Sequence, residues 1–503
     1  MKKTIYLFLL IFITKIHSQW LNGALYPDLR VNNDSTTALQ YASNIGVDGQ
    51  GNFVIVWDDN RYYPPHYYIY CQLFNNQTQR IGYNFRIGQD TAGGPVITVL
   101  RNGEFIVSWQ TSKNIGGNVL GAYIWAQKYD FNRNPITGLI RVNDTTYYSL
   151  GRESISSDSH GNFVIVWESY LTSLSIDIYG QRFDSSGNKL GQNFKINTEN
   201  HLTGSPEVTM SYEGSFSVVW EVDSVNSIKI RGYNNNGIPL GLEQKVDDDI
   251  TNALKIEPAI SSDKKGNILI AWKDYRNINP EGQIYYQLID SIGNKIGINR
   301  NADDWTVEVK NYTRCAMREE GSSIIIWNDY RLGKFIPFAQ RLDRAGNKIG
   351  SNFIIPVYTN FTNSGIESCY LQGDRIYSTW SDNRNGGQNY DVFCNIRSFL
   401  NPDSILAVNE NRKPTVGNYK LFEPYPNPFN QETVINYALP IDANVKIEVY
   451  DMLGKKVLTL INEFKQAGYY SVKFDGSNFA SGMYFYRIQA SNFVDVKKMV
   501  LIK

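Results

Sequence analysis

The chain has 503 residues, and its 49 basic residues balance 49 acidic ones. The zero formal net charge gives nucleic acid or an anionic membrane surface no footing as a partner. The length exceeds one ordinary core, so more than one domain is expected, and four cysteines (Cys71, Cys315, Cys369, Cys394) are too few for a disulfide scaffold.

Residues 1–18 read as a secretory signal peptide. Lys2 and Lys3 supply the positive start, Ile5 to Ile13 is an apolar run too short to span a bilayer, and Ser18–Gln19 is the expected cleavage point. No other stretch is apolar enough to cross a membrane, so the mature chain is expected to carry no transmembrane segment.

From residue 27 to 399 one unit recurs seven times. It is clearest as Gly51-Asn52-Phe53-Val54-Ile55-Val56-Trp57 and Gly161-Asn162-Phe163-Val164-Ile165-Val166-Trp167, with looser copies ending at Trp109, Trp220, Trp272, Trp327 and Trp380. The tryptophans stand 52, 58, 53, 52, 55 and 53 residues apart. Such a period, built from short apolar strands, marks a β-propeller. In the third unit, Glu153–Asp158, Asn162–Glu168, Asp177–Phe183 and Asn193–Asn197 read as four strands. The second is apolar on both faces, as a strand sandwiched between sheets must be. Asp184-Ser185-Ser186-Gly187-Asn188 reads as a hairpin turn with glycine placed for positive φ. A glutamine recurs on the third strands, as Gln72, Gln181, Gln287 and Gln340, and is read as a satisfied buried amide. The last unit lacks a fourth strand, whereas the fourth-strand pattern appears early as Leu29-Arg30-Val31-Asn32. The N-terminal strand is therefore expected to complete the seventh blade and close the ring.

Residues 400–418 are polar and aperiodic and read as a linker. Residues 419–503 change character: Val445, Ile447 and Val449 alternate with polar residues, as do Tyr470, Val472 and Phe474, and Tyr484, Tyr486 and Ile488. The pattern gives a small Ig-like antiparallel β-sandwich. The expected fold is thus all-β, a seven-bladed propeller followed by a sandwich.

This last segment resembles a known family. Pro424-Tyr425-Pro426-Asn427-Pro428-Phe429-Asn430, Tyr450-Asp451-Met452-Leu453-Gly454, Ala480-Ser481-Gly482-Met483-Tyr484-Phe485-Tyr486-Arg487 and Lys497-Lys498-Met499 look like the type A C-terminal sorting domain of type IX secretion cargo. The resemblance implies export by the signal peptide, passage across the outer membrane through the type IX machinery, and a destination outside a Gram-negative cell or attached to its surface. The seven repeats resemble, more loosely, uncharacterised propeller-type repeats of secreted bacterial proteins.

In a propeller the loops joining strands two to three and four to one share a face, and here those loops are the long ones. Binding residues belong on loops held by a rigid scaffold. Four units carry an acid and a base just after the tryptophan: Asp59 and Arg61, Asp274 and Arg276, Asp329 and Arg331, Asp382 and Arg384. They are candidate ligand-binding residues, weighed against ion pairs that fasten loops between blades. Tyr62, Tyr63, His66 and Tyr67 form an aromatic loop suited to sugar stacking or protein contact. No catalytic constellation, metal-ligand spacing or cofactor motif stands out. The expectation is a secreted or surface binding protein for an extracellular glycan or protein. The alternatives are an extracellular hydrolase and a structural envelope component.

Overall fold

A computed structural model describes residues 28–400 and 419–502, apart from 34–37, 62–65, 89–90, 116–117, 145–148, 173–174, 200, 277–280, 305–307, 358–362, 385–389, 423, 425–426 and 466–467. The expected signal peptide and residues 401–418 of the expected linker lie outside the described residues. The described residues fall into two compact units, one on each side of residue 405.

The first unit is a ring of seven four-stranded antiparallel sheets. Blades 1 to 6 span residues 40–87, 93–141, 149–195, 203–245, 255–301 and 310–354, and in each the four strands pair in chain order. Blade 7 takes three strands from residues 363–398, and its outermost strand is Leu29–Arg30, paired with Cys394 and Phe393. The second strands are buried along their whole length in blades 1, 5 and 6 (Phe53–Asp59, Ile268–Asp274, Ser323–Asp329). That follows from apolar side chains on both faces of a strand that has a neighbouring sheet on each side. The apolar clusters accordingly straddle blades: Val164, Val166 and Ile178 of blade 3 pack with Val208, Phe216 and Trp220 of blade 4. All four cysteines are free thiols.

Buried amides link the blades. Asn84, Asn193, Asn299 and Asn352, each within or just before a fourth strand, donate to the side chains of Gln72, Gln181, Gln287 and Gln340 at 2.7 Å. Each also donates to a carbonyl of the preceding blade's outer end, Asn299 to Val246 and Asn352 to Ala302 for example. Blade 7 inverts this pair. Asp28 stands where the other blades have asparagine, and Asn395 stands where they have glutamine, donating to Asp28 at 2.8 Å. Asp28 also accepts the Val357 amide at 3.0 Å and the Arg384 guanidinium at 2.8 Å, with its carboxylate fully buried. One side chain thus ties the N-terminus to blades 6 and 7.

The second unit packs a three-stranded sheet (Lys420–Leu421, Glu432–Leu439, Gly468–Asp475) on a four-stranded one (Ala443–Tyr450, Lys456–Lys465, Gly482–Ala490, Phe493–Leu501). The alternation seen in the sequence sends Val445, Ile447 and Val449 into one core with Tyr486, Ile488 and Met499.

Breaking a buried ion pair by removing one partner costs about 3–5 kcal/mol. We therefore expect Asp28→Ala to destabilise the propeller by about that much, with Asp28→Asn nearer to the parent chain. All ten tryptophans precede residue 381, so urea unfolding followed by tryptophan fluorescence reads the propeller alone. An unchanged midpoint for Asp28→Ala would remove Asp28 from ring closure.

Candidate functional site: the axial channel and its long-loop mouth

The Asp–Arg pairs that follow the tryptophans are built into the scaffold. Each indole donates to the aspartate two residues on: Trp57 to Asp59 at 3.0 Å, Trp272 to Asp274 at 2.8 Å, Trp327 to Asp329 at 2.9 Å and Trp380 to Asp382 at 2.7 Å. The same carboxylate accepts the backbone amide and the guanidinium of the arginine two residues further, as Asp329 does from Arg331 at 2.9 and 2.6 Å. The guanidinium then lies over a third-strand ring, with centroids 4.2 Å away for Arg61 on Tyr70, 4.3 Å for Arg276 on Tyr285, 4.2 Å for Arg331 on Phe338 and 4.0 Å for Arg384 on Phe393. Two of the arginines also reach an acid at the preceding blade's outer end, Arg276 to Asp248 and Arg331 to Asp304, while Arg384 reaches Asp28 beside the outer strand of its own blade. All four aspartates are at most 1% exposed. Blades 3 and 4 have Ser169 and Val222 at the aspartate position, and there the buried indoles of Trp167 and Trp220 have no partner.

The aromatic loop lies elsewhere. Tyr62 and Tyr63 fall outside the described residues. His66 is exposed, and Tyr67 packs edge-on against Tyr41 with ring centroids 5.0 Å apart. Both belong to the wall of a cavity of about 1870 Å³ on the ring axis, lined chiefly by the first strand of every blade.

The channel wall holds the groups that the sequence did not single out. Every first strand is interrupted by a bulge, and the residue fifteen before the tryptophan sits at it: Ala42, Gly94, Arg152, Ser205, Glu257, Tyr312 and Gly365. Six of these have positive φ, including Ala42 (54°), Ser205 (51°), Glu257 (56°) and Tyr312 (54°). Non-glycine residues held there are strained by about 1–3 kcal/mol each. Side chains of the preceding blade hold the bulges in place. Asp58 accepts from the Gly94 amide, Glu168 from Ser205, Glu221 from Glu257 and Asn328 from Ile366. Glu367 accepts the amides of Ala42 and Ser43. Gln110 joins this set by donating to the Gly151 carbonyl beside the bulge of blade 3.

Two carboxyls of this wall are driven toward their neutral form. Burial pushes Asp58 up from 3.8 to about 8, with the charges of Glu367 and Asp59 adding and the Gly94 amide opposing. Burial likewise raises Glu153 well above the carboxylate range. Its Oε2 accepts from Ser108 at 3.3 Å while its Oε1 has no partner. Deeper in, Ser154, Ser156, Thr209 and Ser261 line the wall with hydroxyls. Two side chains of opposite charge face that space: Glu207, whose Oε2 accepts from Ser154 at 2.7 Å, and Arg314, whose Nε donates to the Glu367 carbonyl at 2.8 Å. Among the described residues no cluster of three or more metal-ligating side chains occurs, and no helix is long and apolar enough to cross a membrane.

Residues 423–503 match the family model of the secretion system C-terminal sorting domain. The sandwich is therefore the type A sorting domain of type IX secretion, and the chain is carried across the outer membrane of a Gram-negative cell to end extracellular or attached to the surface. No curated protein matches the chain. Among solved structures, the polysaccharide lyase Uly1 is similar at 7% identity, with a TM-score of 0.50, over 74% of this chain and 100% of that one. A protein of unknown function from Dyadobacter fermentans is similar at 10% identity and a TM-score of 0.43, over 74% of this chain and 98% of that one. The GH93 α-L-arabinofuranosidase of Fusarium graminearum, solved with arabinobiose, is similar at 9% identity and a TM-score of 0.42, over 75% of this chain and 98% of that one. Likeness at such identity shows the propeller fold and nothing of the chemistry.

A carboxyl whose pKa is raised by folding contributes stability below its unfolded value and loses it as pH rises through its folded value. For Asp58 that loss runs from 3.8 up to about 8. The melting temperature of the propeller, read by tryptophan fluorescence, is expected to fall from about pH 5 upward and to fall less steeply in Asp58→Asn, whose amide oxygen can still accept from Gly94. A parallel pair of curves would mean that Asp58 is ionised in the fold.

Proposed function

For a chain that ends in a secretion sorting domain, we propose that the propeller is an extracellular binding protein and that the long-loop mouth of its channel takes a glycan. The supporting observation is the composition of that mouth. Tyr41, Tyr67 and Tyr312 offer partly accessible side chains at the rim, and the wall carries hydroxyls, carboxyls and arginines. Sugars present apolar ring faces and many hydroxyls, so aromatic platforms beside polar side chains suit them. His66 enters this reading as a further rim residue, and Tyr62 and Tyr63, outside the described residues, enter it from the sequence alone. The four Asp–Arg pairs enter it as the frame that holds the long loops, because their carboxylates are already occupied by indole, amide and guanidinium donors.

A second reading, an extracellular hydrolase, draws on Asp58 alone. A carboxyl raised to about 8 by burial has the protonation state of a general acid at neutral pH. The fold-level likeness to Uly1 adds no residue to either reading.

The full-length mature protein is to be screened on a glycan array. Binding to at least one glycan class is expected, weakened about tenfold or more by Tyr41→Ala or Tyr67→Ala. Glycan binding that both variants retain unchanged would move the site away from the mouth. Release of shorter sugars, abolished by Asp58→Asn, would favour the hydrolase.

A further inference from the structure

The two ends of the channel are built differently. At the short-turn face Arg101, in the turn between the first two strands of blade 2, forms a salt bridge with Glu319, in the matching turn of blade 6. Blades 2 and 6 are not neighbours, since blades 3 to 5 separate them on one side and blades 7 and 1 on the other. The bond therefore crosses the ring axis. Tyr212 of blade 4 joins it: the Arg101 guanidinium stands 5.3 Å from its ring centroid, and Lys264 of blade 5 stands 4.7 Å from the same ring. The Lys264 amide donates to the Glu319 carbonyl at 3.3 Å. Side chains of four blades thus meet over the axis and lie against the cavity. At the long-loop face, by contrast, the contacts between Asp58 and Gly94, Glu168 and Ser205, Glu221 and Glu257, and Glu367 and Ala42 join neighbouring blades and follow the wall around.

We propose that the channel is a socket, closed at the short-turn face and open at the long-loop face, that receives the end of an oligosaccharide chain and not its middle. The proposal rests on the glycan reading above. A chain threaded through its middle must leave by two openings, and the cross-axis cluster of Arg101, Glu319, Tyr212 and Lys264 occupies one of them. The cavity of about 1870 Å³ exceeds the roughly 300–1,000 Å³ of a site for a drug-sized ligand, so it has room for several sugar units in line. At its waist Glu207 and Arg314 face the space from blades 4 and 6. A carboxylate accepts from a sugar hydroxyl and a guanidinium donates to one, so together they read the terminal unit.

The test counts chain ends. The full-length protein is titrated calorimetrically with xylohexaose, mannohexaose and maltohexaose, and with soluble xylan, mannan and amylose as their parent polymers. For the linkage that binds, hexaose and polymer are expected to bind equally per mole of chain. Per mole of sugar, a polymer ten times longer is then weaker by about tenfold. Glu207→Gln and Arg314→Gln are each expected to weaken the hexaose by about tenfold or more. A polymer that binds as tightly as the hexaose per sugar unit would overturn the socket while leaving the glycan reading intact. Binding of none of the six would overturn both.

Discussion

A strand that is apolar on both faces has to be covered on both faces. The second strand of each blade imposes that condition on the whole first unit, because a lone sheet cannot meet it. Seven sheets arranged around an axis meet it for one another, provided the ring is complete. An open array would leave one apolar sheet face at each end facing water, at roughly 25 cal/mol for every Å² exposed. The inverted amide pair of blade 7 and the buried carboxylate of Asp28 are the means of completion. The four tryptophan, aspartate and arginine clasps fix a long loop to the sheet beneath it and, in two blades, to the preceding blade.

The order of the blades, their glycine turns and the borrowed outer strand were legible because each leaves a residue type at a fixed spacing. The glutamine on the third strand is legible for the same reason: its amide must meet an asparagine and a carbonyl, and few side chains can do both. The channel wall was not legible. Its recurring position holds Ala42, Gly94, Arg152, Ser205, Glu257, Tyr312 and Gly365, which share no chemistry. What most of them share is a backbone angle, held by a side chain of the preceding blade, and a backbone angle leaves side chains that line open space free to differ. A shorter turn between the first two strands of blade 7 shifts one more equivalence by a residue. Cys315 and Cys369 lie at different distances from their tryptophans, yet both pair with the residue two before it, Ile325 and Ser378. Glu153 did leave a trace. It occupies a position filled in blades 1, 2, 4, 5 and 6 by Ser43, Pro95, Pro206, Pro258 and Thr313, and an acid among such residues marks a buried carboxyl.

The address and the cargo use separate cores. Among the described residues, Phe429, Ile447, Tyr486 and Met499 belong to the core of the sorting domain, and the propeller's apolar clusters contain none of its residues. Mutational variation in the channel can therefore proceed without disturbing export, which is the arrangement expected where one route serves many different passengers.

The borrowed strand has a consequence for how the molecule comes into being. Asp28 and Arg384 lie 356 positions apart in the chain, so the contact that seals the circle joins the first strand of the ring to its last blade. Until the final blade has formed, six sheets wait with an uncovered flank at each extremity. Contacts between such distant segments form slowly, and exposed apolar flanks invite aggregation in the interval. A chaperone in the compartment where the chain first folds would have its greatest value during that interval, and a bulky extension placed just ahead of residue 28 would prolong it.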